Sequence, residues 1–133
     1  MNRNRMKQII LEYIKNNDST SFVEIENVFE EQGFKYKGNG AYTSGNHKNI
    51  IFWVGWNEEA FNIVADLKRD GLIEMQICPP MYYLIDGKGL KLPIVKNKNI
   101  KIDHWLPVTF FELIKMYIYQ IKRREARRAR SYK

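Results

Sequence analysis

The strongest constraint on the fold is the order in which the apolar periodicity changes along the chain. Apolar residues recur at spacings of three and four over residues 5–16, which predicts an amphipathic helix. A capping box formed by Ser21 and Glu24 predicts the start of a second helix, and Gly33 supplies a residue type that ends helices. The predicted core face of this second helix is Ile25, Val28 and Phe29. The chain therefore opens with two helices that share one apolar core.

The apolar periodicity changes twice over residues 33–71. The segment Gly33–Asn49 contains four glycines among polar residues, and this composition favours a loop or an irregular strand; we expect an exposed, mobile loop. Asn49–Val54 is β-branched and aromatic, which predicts a buried strand. Asn57 is the predicted N-cap of a third helix that ends near Asp70 and Gly71. The predicted core face of that helix is Ala60, Phe61, Val64 and Leu67.

The remainder of the chain, from Leu72 onward, predicts a hairpin and a final helix. Leu72–Cys78 and Met81–Ile85 are short apolar runs on either side of two prolines, and they predict an antiparallel pair of strands. His104–Pro107 is the predicted start of a helix that continues over Val108–Ile121. This helix is apolar on most of its circumference, so it needs burial on more than one side. We expect it to pack within a homodimer, and packing against its own domain is the alternative.

The resulting order of helix, helix, strand, helix and hairpin resembles the winged helix-turn-helix superfamily over residues 6–86. The specific part is the run Lys68-Arg69-Asp70-Gly71-Leu72-Ile73, which passes from the third helix directly into a strand. A weaker resemblance connects the chain to small winged-helix proteins of phages and other mobile elements of low-GC Gram-positive bacteria. It rests on the Lys, Asn and Ile bias and on His104-Trp105-Leu106-Pro107.

The resemblance implies an α+β fold with three helices, a small antiparallel hairpin and an additional C-terminal helix. Residues 1–103 would form the winged-helix domain, residues 104–121 a packing or dimerisation helix, and residues 122–133 a basic tail.

The net charge of +7 is concentrated at the C-terminus. Residues 122–133 contain seven basic side chains and one carboxylate, Glu125, for a net charge of +6. Residues 8–121 contain 12 basic and 14 acidic side chains, for a net charge of −2. The predicted body is nearly neutral, and the tail is the strongest attraction that the chain offers to a polyanion.

Catalysis is not expected from this sequence. It has no nucleophile motif, phosphate-binding P-loop or metal-nuclease cluster. Cys78 is the only cysteine, which excludes an intramolecular disulfide, and with two histidines the chain offers too few soft ligands for a zinc cage. We therefore expect no catalytic residues, no metal and no cofactor.

A membrane location is not expected either. No apolar run approaches the roughly 18 residues of a membrane span, and the N-terminus lacks an apolar signal core. The apolar-then-basic order of the C-terminal region also fits a helix lying on a membrane, although its apolar part lacks a polar face. We expect a cytoplasmic protein.

The third helix is not the expected nucleic-acid contact. In the superfamily this helix normally enters the major groove. Its predicted outward residues here are acidic on balance, and a net charge of −2 would be repelled by duplex phosphates. These residues are Glu58, Glu59, Asp66, Lys68, Arg69 and Asp70.

Aromatic residues alternate with lysines in the glycine-rich loop, a pattern typical of proteins that stack single-stranded bases. The same pattern also fits a merely solvated loop with Phe34 and Trp56 in the core. The predicted binding residues of the loop and the adjoining strand are Lys35, Tyr36, Lys37, Tyr42, His47, Lys48 and Trp56. Those of the tail are Lys122, Arg123, Arg124, Arg127, Arg128 and Arg130.

Three functions remain open at this point. The first is a small protein that binds single-stranded DNA in the replication or processing of a mobile genetic element. The second is a dimeric, sequence-specific regulator of duplex DNA in which third-helix residues such as Asn62 read bases. The third is an accessory module that docks its acidic helix on a replication protein such as a helicase or polymerase.

Overall fold

The computed structural model describes residues 2–97 and 99–131 and shows a mixed α+β protein. Its elements in chain order are α1 (Arg3–Asn16), α2 (Phe22–Glu31), β1 (Lys37–Ser44), β2 (His47–Trp56), α3 (Glu58–Arg69), β3 (Ile73–Ile77), α4 (Met81–Ile85), β4 (His104–Trp105), β5 (Val108–Glu112) and α5 (Leu113–Ser131).

The first three predicted helices are confirmed, and the predicted residues set their ends. The Ser21 hydroxyl accepts a hydrogen bond from the Glu24 backbone N–H, and the Asn57 side chain accepts one from Ala60. These caps satisfy N–H groups that have no partner within the helix. Gly33 follows α2 with a φ of 67°, the left-handed conformation that glycine adopts without strain. The predicted core faces of α2 and α3 are buried.

Two small sheets complete the architecture. In the first, β1 pairs antiparallel with β2, and β2 pairs parallel with β4. In the second, β3 pairs antiparallel with β5 from Ile73 opposite Glu112 to Ile77 opposite Val108. Thr20 bridges β5 through two backbone hydrogen bonds with Phe110, of 3.0 and 2.8 Å. The turn between α1 and α2 is therefore tied to a strand near the other end of the chain.

The core is an aromatic cluster centred on Phe22, the first residue of α2. Its ring stacks on Trp53 with centroids 5.8 Å apart, and it meets Trp56 and Phe110 edge-on at 5.4 and 5.0 Å. Tyr83 of α4 extends the cluster, and its hydroxyl donates to the Val108 carbonyl. These contacts join α2, β2, α4 and β5 in one apolar interior.

A buried carboxylate, Glu26, lies beside this aromatic cluster. It accepts hydrogen bonds from the indole N–H groups of Trp53 and Trp56, both at 2.8 Å, and from the Lys88 ammonium at 2.6 Å. Trp53 and Trp56 are three residues apart, so a regular strand would turn them to opposite faces. Gly55 lies between them with a φ of 94° and breaks that alternation. Both indoles can therefore reach one carboxylate.

The prediction of a mobile loop over Gly33–Asn49 is wrong, because most of this segment forms β1 and the start of β2. Two of its glycines, Gly38 and Gly40, allow a close approach of the backbone to neighbouring residues. A Cβ atom at Gly38 would lie 2.7 Å from the Asn57 backbone, and one at Gly40 would lie 2.6 Å from the Trp56 carbonyl oxygen. The hairpin thus passes tightly against the start of α3.

The predicted strand over Met81–Ile85 is also wrong, since these residues form the short helix α4. Pro80 precedes them with φ and ψ of −56° and −24°, a helical conformation that proline favours at the start of a helix. The partner of β3 is consequently β5 and not the segment that follows the prolines.

The prediction of one helix over Val108–Ile121 is wrong in its first part. His104–Trp105 is a strand rather than a helix start, and Val108–Glu112 is the strand β5. Val108, Thr109 and Phe110 are β-branched or aromatic, and pairing with β3 overrides their apolar helical pattern. The helix begins only at Leu113.

We expect Glu26→Gln to lower the free energy of unfolding by about 1–3 kcal/mol, because a neutral amide replaces a buried carboxylate that accepts three hydrogen bonds. Urea denaturation followed by tryptophan fluorescence measures this loss. Glu31→Gln on the same helix is the matched control, and its exposed side chain should change the value by less than about 0.5 kcal/mol. Equal values for the two variants would contradict the structural role of Glu26.

Candidate nucleic-acid interface

The most basic surface of the protein is α5, which leaves the body as an exposed helix. Nineteen residues give it a length of about 28 Å. Lys115 anchors its first turn, because the ammonium contacts Asp18 at 3.7 Å and donates to the Lys15 carbonyl. Beyond this anchor, every α5 side chain whose exposure is described is exposed.

One side of α5 carries a row of an aromatic ring and two arginines, Tyr119, Arg123 and Arg127, at spacings of four residues. We call it the Tyr119 row. The Arg123 guanidinium lies over the Tyr119 ring, 5.8 Å from its centroid, in a cation–π contact. The Tyr119 side chain is 61% exposed. A flat ring and two cations are thus presented together to solvent.

The predicted tail residues belong to the same helix. Arg124 and Arg128 lie on a different side of α5 from Arg123 and Arg127, because successive helical residues are turned by about 100°. The structure describes the backbone of Arg130 but not its side chain. The remaining tail residues have exposed side chains, namely Lys122, Arg123, Arg124, Arg127 and Arg128.

The predicted aromatic residues of the glycine-rich segment and of the adjoining strand are buried or half-buried. Trp56 is fully buried, and Tyr36 is buried with its hydroxyl donating to Glu30. Tyr42 is half-buried against Phe22 and Phe61, and burial raises its pKa. These rings form part of the core and its edge, so they do not offer free faces for base stacking.

The lysines of that segment are exposed and His47 is half-buried, but the hairpin separates these residues into two groups. Lys35 and Lys37 lie together at the start of β1, where they line one shallow pocket. His47 and Lys48 lie at the opposite end, next to the turn that joins β1 and β2. The length of the strands places about 23 Å between the two ends. The structure therefore does not gather these four residues into one site.

The surface of α3 differs from its prediction at one residue. Asp66 was expected to face outward, but it is buried against three cations and pairs with Arg3, with Lys7 at 3.4 Å and with Arg69 at 3.0 Å. It therefore ties α3 to α1. Glu58 and Glu59 are exposed in the first turn, so this helix still presents acidic residues to solvent.

Sequence reasoning missed two residues, Tyr119 and Glu26. The spacing of four residues between Tyr119 and Arg123 was available as a signal, since such pairs face each other on a helix. No comparable signal marked Glu26, because its partners Trp53, Trp56 and Lys88 are distant in sequence.

The described residues contain no group of three or more His, Cys, Asp or Glu side chains that could hold a metal ion. Burial raises the pKa of Cys78 to about 11, which disfavours the nucleophilic thiolate. No helix in the described part of the chain combines the length and the apolar character that crossing a membrane requires. No protein-family model, curated protein or solved structure matches the chain.

Asp66 should make stability depend on pH. The hydrogen bond from Arg3 is the main cause that lowers the pKa of Asp66 in the folded protein, and Lys7 and Arg69 lower it further against the opposing effect of burial. The ion pairs then stabilise the fold fully above the unfolded carboxyl pKa of about 4 and are lost as the pH falls through the lower folded value.

We therefore expect the stability difference between the wild type and Asp66→Asn to be largest near neutral pH and to shrink in acid. Urea denaturation of both proteins across the acidic range measures it. The other carboxylates titrate in both proteins, so the difference isolates Asp66. A difference that stays constant with pH would contradict the assignment.

Proposed function

We propose that this protein binds nucleic acid, with single-stranded DNA favoured, through the Tyr119 row of α5. The observation that carries the proposal is the exposed Tyr119 ring beside Arg123 on a basic helix whose described side chains are exposed beyond its first turn. Single strands are held by pairing backbone phosphates with cations and unstacked bases with flat rings. A duplex offers cations the same phosphates but does not offer Tyr119 an unstacked base.

The charge distribution supports α5 over other surfaces. Residues 8–121 have a net charge of −2, while residues 122–133 have a net charge of +6. The exposed Glu58 and Glu59 of α3 would repel phosphates. The binding mode that we propose therefore differs from major-groove binding by the third helix.

We propose that the body is a winged-helix variant, with the β3–β5 pair in place of the predicted hairpin. Support comes from the order α1, α2, α3 and β3, and from the direct passage of α3 into β3 through Gly71. The resemblance to phage and mobile-element proteins supports a role in replication or processing of such an element. The proposed role is binding, without catalysis or a cofactor, in the cytoplasm.

The first test is the affinity for a fluorescently labelled single-stranded oligonucleotide and for its duplex, measured by anisotropy. We expect tighter binding to the single strand, and Tyr119→Ala should weaken it by roughly 5- to 150-fold through the loss of one stacked base. Tyr82→Ala is the matched control, because Tyr82 is an exposed tyrosine on α4.

The outcomes separate the alternatives. Tighter binding to duplex would overturn the preference for single strands, and a strong preference for one palindromic duplex would favour a transcriptional regulator. No binding to either nucleic acid would overturn the proposal and favour an accessory module for a replication protein.

The second test is the dependence of affinity on salt. Removing two phosphate contacts with Arg123→Gln/Arg127→Gln should reduce the slope of log affinity against log salt by about 1.4, at about 0.7 for each contact on a single strand. Lys91→Gln/Lys96→Gln removes the same charge from an exposed part of the body and should leave the slope unchanged. Equal slopes for the two variants would show that the arginines do not contact phosphates.

A further inference from the structure

An open groove of about 650 Å³ lies between α1 and α2. Its floor is apolar and includes Ile9, Tyr13 and Val28, while the exposed carboxylates Glu12 and Glu31 stand at its rim. We call it the α1–α2 groove. Its described lining comes only from α1, α2 and the residues that directly follow them, so α5 of the same molecule does not fill it.

The groove lies in a negative environment. Burial raises the pKa of Tyr13, and the negative charges of Glu24, Asp86 and Glu31 raise it further. Burial also raises the pKa of Glu24, with the charge of Asp86 as the second cause. Arg5 is the cation among the described lining residues. An apolar segment that carries positive charge matches this environment.

The apolar side of α5 has that character. Ile114, Tyr117, Ile118 and Ile121 recur at spacings of three and four, and their side chains are 67, 59, 47 and 50% exposed. We call them the α5 stripe. This pattern is typical of a helix face that packs on another surface. Arg124 and Arg128 follow on the same side, three and seven residues after Ile121.

We propose that the α5 stripe of one copy of this protein docks in the α1–α2 groove of a second copy. The apolar residues would cover the groove floor, and Arg124 and Arg128 would approach the carboxylates at its rim. Parallel pairing of two α5 helices with each other is less favourable, because their arginines would face like charges. The groove supplies the opposite charge.

The geometry of this contact differs from that of a symmetric dimer. Each copy donates α5 and accepts α5 at different surfaces, so the contact is head-to-tail and can continue into a ring or a filament. The Tyr119 row lies on the side of α5 opposite the stripe. Docking therefore leaves the proposed nucleic-acid contact exposed, and self-association goes beyond the proposed function.

The test is sedimentation velocity of the full chain over a concentration series at low salt, without nucleic acid. We expect the mass to rise with concentration above the 15.9 kDa of a single chain. Glu12→Arg/Glu31→Arg alters the groove, and Arg124→Glu/Arg128→Glu alters the helix. Each variant alone should weaken self-association by roughly tenfold or more, because like charges then face each other.

Mixing the two variants gives the sharpest readout. In the mixture, the wild-type helix of the groove variant meets the wild-type groove of the helix variant. The glutamates of the altered helix meet the arginines of the altered groove. Both contacts pair opposite charges, so the mixture should associate as the wild type does. Glu59→Arg/Asp103→Arg makes the same charge change at exposed residues outside the groove and should associate normally.

Three results would overturn the proposal. The first is a wild type that stays monomeric at high concentration. The second is undiminished association of Glu12→Arg/Glu31→Arg, which would place the contact elsewhere, as in a pairing of two α5 helices. The third is association that persists in Tyr117→Ala/Ile118→Ala, which truncates exposed side chains of the stripe. Because nucleic acid is absent, these results do not depend on the proposed binding function.

Discussion

The buried carboxylate of Glu26 is the constraint on which the arrangement of the core depends. A charge removed from water must be fully paired, and Glu26 meets this requirement with two indole N–H groups and the Lys88 ammonium. These partners lie on β2 and after α4, so one side chain of α2 fixes the position of both. The aromatic ring of Phe22 then packs against both indoles, whose N–H groups are directed at the carboxylate.

Local signals in the sequence were enough to predict the first three helices. Ser21, Asn57 and Gly33 act on the backbone within a few residues, and such effects change little with tertiary context. The segments that were wrong depend on distant partners. Val108–Glu112 has an apolar pattern that fits either a helix or a strand, and only pairing with Ile73–Ile77 decides between them. The glycines at 38 and 40 suit the approach of Asn57 and Trp56, which no local pattern records.

The candidate site was predictable in its charges but not in its aromatic residues. The excess of arginines at the C-terminus is visible in the sequence and remains exposed in the structure. Whether a tyrosine stacks on a base or packs in a core depends on burial, which placed Tyr36 inside and Tyr119 outside. The helical geometry of α5 then separates its side chains into two opposite sides, one with the Tyr119 row and one with the apolar stripe. A single helix can in this way serve two kinds of contact.

The bridge between Thr20 and Phe110 has a consequence for how the chain reaches its fold. The hydrogen bonds of this bridge join the turn after α1 to β5, so the core lacks Val108 and Phe110 until most of the chain has left the ribosome. Contacts between residues so distant in sequence slow folding, because the intervening chain must be ordered first. During synthesis Phe22 and its aromatic neighbours therefore remain partly uncovered, and α5 emerges only after the strand that completes the interior.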